Sequence, residues 1–273
     1  MGLITITSDW GENDHYLAAV KAKIYGYLPN ADIIDITHFV PVFDIGKAAY
    51  FIRNVYPHSP DGTVHIVGVN TIADKDCAHL IVCYRNQFFV GTDNGIFSLL
   101  FPKNEIPTEV YEITEMQDHG CFTFPDRDLF AKVAAFLASG TPPNKLGIPT
   151  QLRNQITPSF PIIRQETSNG QVLYVEIVGD VTYIDRYENV NTNIHQSAFS
   201  ELQSQFKRFE IFFGGNDAVQ KISSAYSDVG ISDILALFAS DGYLQIAMNK
   251  SNAASLLGIK KHTKIIVRFK MSE

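Results

Sequence analysis

The fold of this chain is indicated first by residues 3–28, which run LITITSDWGENDHYLAAVKAKIYGYL. Residues 3–7 are rich in β-branched side chains, and this pattern predicts a short strand that ends in the polar turn at 8–11. Apolar side chains then recur at helical spacing after Asp14 until Pro29, which cannot continue a helix. A strand followed at once by a helix is typical of an α/β domain.

Strands and helices continue to alternate over the first half of the chain. The further strands are predicted at 31–37, 63–69, 78–84 and 87–91, and the further helices at 45–55 and 128–138. This order predicts a mainly parallel sheet with helices on both faces, because a parallel connection crosses the sheet through a helix.

The composition changes at 141–169, where five prolines interrupt the regular patterns. We therefore predict a linker at 156–169 between an α/β domain at 1–155 and a second domain at 170–273. The strands predicted in the second domain are 172–178, 181–184, 209–213, 234–238, 243–247 and 264–269. Short strands with turn signals between them predict a smaller antiparallel β domain, curled like a barrel.

Charge and composition exclude several classes of function. The 273 residues carry a formal net charge of -7 and no cluster of Lys and Arg, so nucleic acid is not an expected partner. The three cysteines form no CxxC pair, and the eight histidines follow no metal-ligand spacing. We therefore expect no disulfide framework and no metal.

No stretch approaches 18 consecutive apolar residues, and the first residues alternate like a strand. These features predict neither a signal peptide nor a membrane span, so we expect a cytoplasmic protein with reduced thiols.

Three polar loops lie at 8–14, 70–76 and 123–128, and each follows a predicted strand or precedes a predicted helix. Ligands of open α/β sheets bind at the carboxyl ends of strands, so these loops predict a ligand site above the sheet. Two simpler interpretations remain open, because Asp9 at a strand end is a common turn residue and Asp14 is a favoured helix N-cap.

The loops belong to a longer series of motifs. In the first half these are TSDWG at 7–11, DITH at 35–38, PVFDI at 41–45, PDGTV at 60–64 and VGTDNG at 90–95. The second half adds IDRYENVNTNI at 184–194 and GYLQIAMNKSNAA at 242–254. In this order the motifs resemble those of the S-adenosylmethionine (SAM) hydroxide adenosyltransferases, which are adenosine-forming SAM hydrolases, and of the related fluorinases and chlorinases. The resemblance extends over nearly the whole chain.

The resemblance implies that SAM or adenosine binds between the two domains. Asp9 would accept hydrogen bonds from the ribose hydroxyls, and Asp14 and Asp185 would face the methionine portion. Asn189 and the backbone near Asn252 would bind the adenine edge. The remaining ligand-binding positions that the resemblance implies are Phe43, Asn70, Phe124, Tyr187, Tyr226 and Ala253. Of these, the aromatic residues would wall the nucleoside, as acidic and aromatic groups suit a sulfonium cation.

Core packing is an alternative role for three of these aromatic residues, Phe43, Tyr187 and Tyr226, because large aromatic side chains are commonly buried. The resemblance further implies a homotrimer, with SAM as substrate or ligand and no separate cofactor.

The positions that activate water in the hydrolases differ here. The family has an Asp in a loop after the third strand, an Arg seven residues later and a His directly after Thr-Phe. These positions are Asn70, Cys77 and Pro125 in this chain, and none keeps the chemistry. Asn70 cannot take up a proton at neutral pH, and Pro125 has no polar side chain. The catalytic residues are therefore unknown.

Three other residues are possible substitutes for the lost groups, namely Asp126, His119 and Asp74. Halogenation fits less well, because the hydroxyls that halogenases offer to a halide fall on Ala73 and Asp126, and a carboxylate repels a halide. Three hypotheses follow: an active SAM hydrolase, a catalytically silent binder of SAM or a related nucleoside, and a structural relic without nucleoside affinity. In each of them we expect His38 to be a structural hydrogen-bonding residue.

Overall fold

The computed structural model of the chain describes residues 2–72, 77–101, 105, 107–114, 123–168, 170–214 and 218–270. The chain divides into two compact units, Met1–Pro158 and Ser159–Glu273. No helix of the described residues is long and apolar enough to cross a membrane.

The first unit is an α/β unit. Its strands are β1 (Leu3–Ser8), β2 (Asp32–Thr37), β3 (Val64–Gly68), β4 (His79–Tyr84), β5 (Gln87–Thr92), β6 (Glu109–Ile113) and β7 (Gly147–Pro149). Its helices are α1 (Tyr16–Tyr27), α2 (Ile45–Arg53), α3 (Ile96–Leu100) and α4 (Ala131–Ala138), with short 3₁₀ helices at Tyr56–His58 and Pro143–Lys145 and a π-helical turn at Asp126–Phe130.

The seven strands form one sheet in the order β2-β1-β3-β5-β4-β6-β7. The pairs β1–β2, β1–β3 and β3–β5 are parallel, whereas β4–β5, β4–β6 and β6–β7 are antiparallel. The α/β class is confirmed, but the sheet is mixed and not mainly parallel. The change of direction follows from the hairpin between β4 and β5, where Arg85 and Asn86 both have positive φ, as a two-residue hairpin turn requires.

Helices cover both faces of this sheet. On one face Val20 and Ile24 of α1 pack with α4 and with Ile4 and Ile66 of the strands. On the other face α2 and α3 pack against side chains that include Val67. The neighbours Ile66 and Val67 enter different cores because successive side chains of a strand point to opposite faces. This alternation confirms the prediction of two covered faces.

The order in which strands are added to the sheet reverses at β1, although β1, β2 and β3 are all parallel. From β1 the chain passes through α1 to β2 on one side, and it then returns through α2 to β3 on the other side of β1. The two helices lie on opposite faces of the sheet. In open α/β sheets the crevice at such a switch point, outside the carboxyl ends of the strands, is the usual ligand site.

The second unit is antiparallel throughout its named strands. These are β8 (Ile162–Ser168), β9 (Gln171–Ile184), β10 (Val190–His195), β11 (Arg208–Phe212), β12 (Ala218–Val219), β13 (Ile234–Phe238), β14 (Tyr243–Met248) and β15 (Lys264–Lys270), with helices α5 (Gln196–Gln205) and α6 (Ala253–Leu257). The order is β12-β11-β15-β9-β10-β14-β13, and β8 pairs with β9. An isolated bridge between Ile222 and Ala236 joins the segment after β12 to β13 and nearly closes the sheet, so the barrel-like prediction is confirmed.

Two differences from the sequence analysis concern this unit. The segment at 156–169, predicted as a linker, contains strand β8, which pairs with β9 from Ile162↔Val178 to Ser168↔Gln171. Pro158 and Pro161, which stand inside the predicted linker just before β8, hid this strand, which itself contains no proline. The predicted strands 172–178 and 181–184 are one continuous strand, β9, because Gly179 lets Ile194 and Asn193 of β10 approach its backbone.

Candidate functional site

Asp9 directly follows β1 at the switch point. Ser8 of β1 is in register with Gly68, the last residue of β3, so Asp9 lies at the edge where both strands end. Its Oδ2 accepts the backbone N–H of Phe43 at 2.9 Å. Asp9 therefore holds the loop before α2 and also presents a carboxylate at the carboxyl edge of the sheet.

Asp14 does not cap α1. The helix begins at Tyr16, its N-cap is His15, and no side chain hydrogen-bonds to that end. Asp14 itself is exposed, in the loop between β1 and α1. The capping interpretation is therefore wrong, because the helix starts one residue too late for Asp14 to occupy the N-cap.

An aromatic cluster lies beside Asp9. The Trp10 ring stacks on His38 with centroids 6.2 Å apart and meets the edge of Phe124 at 5.7 Å. Phe124 also contacts the Tyr16 ring at 5.2 Å, and the Arg127 guanidinium lies 5.3 Å from its centroid. Trp10 and Phe124 both pack against the core under α1 and α4, so the apolar wall is held by the fold.

The other predicted aromatic walls are exposed. Phe43 is 67% exposed and has a φ of 66°, and in the second unit Tyr187 is 78% exposed and Tyr226 is 44% exposed. Core packing is therefore not their role. Phe43 is held in its left-handed backbone conformation by the hydrogen bond to Asp9 and by Asp44, which caps α2 by accepting from Lys47 N at 2.9 Å.

Asp126 is a buried carboxyl at the same edge of the sheet. It is 1% exposed, and its Oδ2 accepts the hydroxyl of Thr71 at 2.6 Å, from the loop after β3. No described residue hydrogen-bonds to its Oδ1. Burial raises the pKa of Asp126 to about 7, against the hydrogen bonds from Thr71 and from its own backbone, and the charge of Asp9 raises the pKa further. Asp9 and Asp126 thus form a pair of neighbouring acidic groups.

A π-helical turn presents Asp126. Pro125 stands immediately before it in helical conformation and is buried, and the turn closes with Ala131 N donating to Asp126 O. Proline suits the first residues of a helix because its missing N–H would have no partner there. Pro125 thus has a structural role at the position where the resemblance places a catalytic His. π-Helical turns are frequent at functional sites.

The next carboxyl, Asp128, differs from Asp126. It is fully buried, but the guanidinium of Arg127 binds both of its oxygens, with Nε 2.6 Å from Oδ1 and Nη2 2.7 Å from Oδ2. Such a bidentate pair satisfies the carboxylate. Asp128 is therefore explained by structure, whereas Asp126 keeps an unpaired oxygen.

Two further positions of the missing catalytic set are described. Asn70 is exposed and has a φ of 51°, which Asn tolerates, and its carbonyl accepts Asn94 Nδ2 at 2.8 Å. The Sγ of Cys77 lies 3.8 Å from Asn154 Nδ2, and that same amide donates to the Asp93 carbonyl at 2.6 Å. Cys77 thus contributes to the contacts that hold residues 153–154, in the segment that follows β7.

Ala73, Asp74 and His119 lie outside the described residues, so the predictions made for them stay predictions. His38 is buried, its Nδ1 lies 2.7 Å from Ser8 Oγ, and its Nε2 lies 3.2 Å from Asp35 Oδ1. It thereby ties β1 to the end of β2 and stacks under Trp10, as expected for a structural residue.

In the second unit, Asp185 organises the loop between β9 and β10. Its Oδ1 accepts the backbone N–H groups of Tyr187 and Asn189 at 2.8 and 2.9 Å, and its Oδ2 accepts Asn189 Nδ2 at 3.0 Å. The carbonyl of Glu188 accepts Ala254 N at 3.0 Å, which joins this loop to the start of α6. Because Asn252 is the N-cap of α6 and Ala253 its first residue, the loop and both of these residues are neighbours.

A buried amide network extends from this loop. Tyr226 donates its hydroxyl to Gln245 Oε1 at 2.8 Å, and Gln245 Nε2 donates to Asn191 Oδ1 at 2.8 Å. Burial and the charge of Asp185 raise the pKa of Tyr226. Six ligand-binding residues were assigned to the second unit. The structure brings five of them together, Asp185, Tyr187, Asn189, Asn252 and Ala253, and the sixth, Tyr226, lies close enough to Asp185 to feel its charge.

Sequence reasoning missed three residues of the first unit's site, Trp10, Gly68 and Thr71. A Cβ added at Gly68 would lie 2.7 Å from the Trp10 ring and 3.0 Å from Asp126 Oδ1. For Trp10 the sequence held a signal, its position inside the TSDWG motif. For Thr71 it held none, because the contact of Thr71 with Asp126 spans 55 positions. Among the described residues, no group of three His, Cys, Asp or Glu is arranged to hold a metal ion.

The close approach at Gly68 gives a first prediction. Gly68→Ala is expected to destabilise the protein by about 1–3 kcal/mol, because the new methyl group displaces the Trp10 ring. Trp10 is the single tryptophan, so its fluorescence spectrum reports the displacement while urea unfolding gives the stability. The control is Gly26→Ala, because a Cβ at Gly26 would meet nothing within 4 Å. Gly62→Ala would not serve as a control, because Gly62 has a positive φ that strains an alanine. A spectrum identical to that of the wild type would contradict the packing described here.

The fold and the site together define a class: a mixed α/β unit with acidic and aromatic residues at its switch point, followed by a nearly closed antiparallel β unit. Family models match both parts, the SAM hydroxide adenosyltransferase N-terminal domain at residues 4–147 and the corresponding C-terminal domain at residues 179–266. The chain belongs to the SAM hydroxide adenosyltransferase family.

Individual relatives agree with this assignment. The (R)-S-adenosyl-L-methionine hydrolase of Thermus thermophilus is 27% identical, covering 93% of this chain and 94% of the relative. The protein of the same name from Methanocaldococcus jannaschii is 25% identical, covering 95% and 93%. The crystal structure of an uncharacterized conserved protein from Thermotoga maritima superposes with a TM-score of 0.84 at 29% identity, covering 97% of this chain and 99% of that one.

Proposed function

We propose that this chain hydrolyses (R)-S-adenosyl-L-methionine to adenosine and methionine, at the carboxyl edge of the first unit's sheet. The observation that carries the proposal is the pair of acidic groups, Asp9 and Asp126, at the switch point beside Trp10 and Phe124. The relatives from Thermus thermophilus and Methanocaldococcus jannaschii are named for this substrate.

The charge of the site supports a cationic ligand. SAM carries a sulfonium and an ammonium against one carboxylate, and two neighbouring carboxyls attract such a cation. The faces of Trp10 and Phe124 offer negative quadrupoles to the same charge. Asp9 is the residue that we assign to the ribose, because two carboxylate oxygens can accept hydrogen bonds from two hydroxyls.

The chemistry of the substrate also supports hydrolysis. When water attacks C5′ of the ribose, the C5′–S bond breaks and its electron pair neutralises the sulfonium, so methionine leaves as an uncharged thioether. We propose that no separate cofactor takes part, since the leaving group is already activated by its positive charge. A halide is not the proposed nucleophile, because the acidic pair repels anions.

We extend the proposal to the second unit. Asp185 is assigned to the methionine portion, and Asn189 with the backbone at Asn252 and Ala253 is assigned to the adenine edge. Their support is the loop geometry, since the hydrogen bonds of Asp185 hold Asn189 beside the start of α6. Asn189→Leu should therefore weaken adenosine binding and leave the Trp10 spectrum of the free protein unchanged.

The test is incubation of the purified chain with (R)-SAM and, separately, with (S)-SAM, followed by chromatography. We expect adenosine and methionine in equal amounts from the (R) form, with Asp9→Ala abolishing the release. The fluorescence of Trp10 measures binding independently of turnover. An absence of products from both forms, together with clear binding, would refute hydrolysis.

That result would favour a second function, a catalytically silent binder of SAM or a related nucleoside. The observation in its favour is the replacement of the family's three water-activating groups by Asn70, Cys77 and Pro125, of which Pro125 and Cys77 have structural contacts here. Adenosine and SAM would then raise the melting temperature without being consumed.

We also propose that the chain assembles as a homotrimer, as the resemblance implies. The hairpin of β8 and β9 supports a protein interface, because it exposes the apolar side chains of Ile162, Ile163 and Leu173. Light scattering should then give three times the mass of one chain. A single-chain mass at micromolar concentration would refute this part of the proposal.

A further inference from the structure

Asp126 is an acidic side chain of the first unit's site whose burial is not fully compensated by hydrogen bonds from the described residues. A buried carboxyl is costly unless its oxygens are paired, and Arg127 pairs both oxygens of Asp128 in this way. Asp126 has Thr71 on Oδ2 and no described partner on Oδ1. Hydrogen bonding within the described residues therefore accounts for only one of the two carboxyl oxygens of Asp126.

The unpaired oxygen lies beside Gly68, at the switch point. Oδ1 lies 3.0 Å from the position that a Cβ of Gly68 would take, and the Trp10 ring lies 2.7 Å from the same position. Gly68 ends β3 in register with Ser8, immediately before Asp9. The absence of a side chain at Gly68 therefore lets Oδ1 reach the edge at which Asp9 presents its carboxylate.

We propose that Asp126 is the proton acceptor of SAM hydrolysis in this chain, replacing the groups that Asn70, Cys77 and Pro125 lack. This inference rests on the proposed function. Oδ1 accepts a hydrogen bond from the attacking water, while Thr71 holds Oδ2 and acts as a positioning residue. As the water oxygen bonds to C5′, the C5′–S electron pair passes to sulfur and the water proton passes to Oδ1. The products are adenosine, methionine and a protonated Asp126, which returns its proton to solvent.

The surrounding charges suit this role. The pKa of Asp126 is about 7, so the ionised form is available at neutral pH and the acid can also release its proton. Asp9 is the charged neighbour that raises this pKa. Arg127 is paired with Asp128, and His79 lies 3.0 Å from the Thr71 carbonyl with a pKa lowered by burial.

A rival for the same role is Asp93, which is also buried with one unpaired oxygen. Its Oδ2 accepts the backbone N–H groups of Arg153 and Asn154 at 2.8 and 3.3 Å, so Asp93 holds the segment that follows β7. Asp93→Asn is therefore the matched control: it removes a buried carboxyl of the same kind at a different loop of the sheet.

The experiment compares Asp126→Asn and Asp93→Asn with the wild type in (R)-SAM turnover. Asp126→Asn is expected to lower kcat by about 100- to 10,000-fold, the usual contribution of a positioned base. Asp93→Asn should keep a kcat near that of the wild type. A wild-type kcat in Asp126→Asn, or the loss in Asp93→Asn instead, would overturn the inference.

The pH profile supplies a second readout, which a merely structural role would not move. Because the ionised form accepts the proton, the wild-type kcat should rise with pH through about 7 and then level off. Thr71→Val removes a donor that lowers the pKa of Asp126, so its rise should move to higher pH. An unshifted profile in Thr71→Val would overturn the inference, and this variant serves even if Asp126→Asn does not fold.

Failure of the proposed function looks different. If the wild type binds (R)-SAM, seen as a change in Trp10 fluorescence, but releases no adenosine, hydrolysis is refuted and the inference falls with it. If the wild type is active and Asp126→Asn is equally active, hydrolysis stands and only the inference is overturned.

Discussion

Asp9→Ala is expected to weaken the binding of adenosine and SAM by about 100- to 10,000-fold. Two hydrogen bonds from ribose hydroxyls to a charged acceptor are lost, and each contributes roughly 1.5–3 kcal/mol. The loss should be larger for SAM than for adenosine, because both lose the ribose contacts and the cation also loses the attraction of the Asp9 charge. Titration calorimetry or the fluorescence of Trp10 measures it.

The matched control is Asp61→Ala. Asp61 is an exposed carboxylate, whereas Asp9 is half-buried, but like Asp9 it is hydrogen-bonded to one nitrogen, Asn86 Nδ2 at 3.1 Å. It precedes β3 and so lies at the opposite edge of the sheet from Asp9. The change in net charge is the same in both variants. Equal affinities for adenosine in Asp9→Ala and Asp61→Ala would remove Asp9 from the site.

Asp126→Asn is expected to stabilise the protein at high pH. The pKa of this carboxyl is about 7 in the folded protein, above its ordinary value of 3.8. A carboxyl with a raised pKa favours the folded state at low pH, and this contribution is lost as the pH rises from about 4 through about 7. The total loss is on the order of 4 kcal/mol, and an uncharged asparagine avoids it.

Urea unfolding at pH 5 and pH 8 measures this effect. The stability difference between Asp126→Asn and the wild type should grow with pH, and Asp93→Asn provides the comparison for loss of another buried carboxyl. Parallel stabilities of Asp126→Asn and the wild type at both pH values would show that Asp126 is not held with a raised pKa. If the variant is both more stable and less active, Asp126 is a case in which a destabilising group is kept for its chemistry.

Much of the fold could be predicted from local sequence. The alternation of strand and helix patterns was enough for the α/β unit, and the turn at Arg85 and Asn86 is visible as two residues between two apolar runs. The direction of β4 was missed because a pattern of apolar residues does not say whether two strands are parallel. Strand β8 was missed because its side chains are all exposed, so it carries no buried apolar face.

The candidate site likewise has parts that local sequence predicts and parts that it does not. Asp9 follows a short β-branched strand and precedes a helix, so its place at a carboxyl edge follows from residues next to it in the chain. The loop of Asp185 and Asn189 is likewise local in its own geometry, since the hydrogen bonds of the Asp185 side chain join residues within four positions.

The burial of Asp126, by contrast, depends on residues far away in the chain. Thr71 lies 55 positions before it, and Gly68 and Trp10 lie further still. A sequence shows that a carboxyl is present, but its pKa depends on how much water and which charges surround it. The local chain therefore determined that an acidic residue, Asp9, stands at the carboxyl end of β1, whereas only the packing of the π-helical turn against β3 gave Asp126 its raised pKa and its unpaired oxygen.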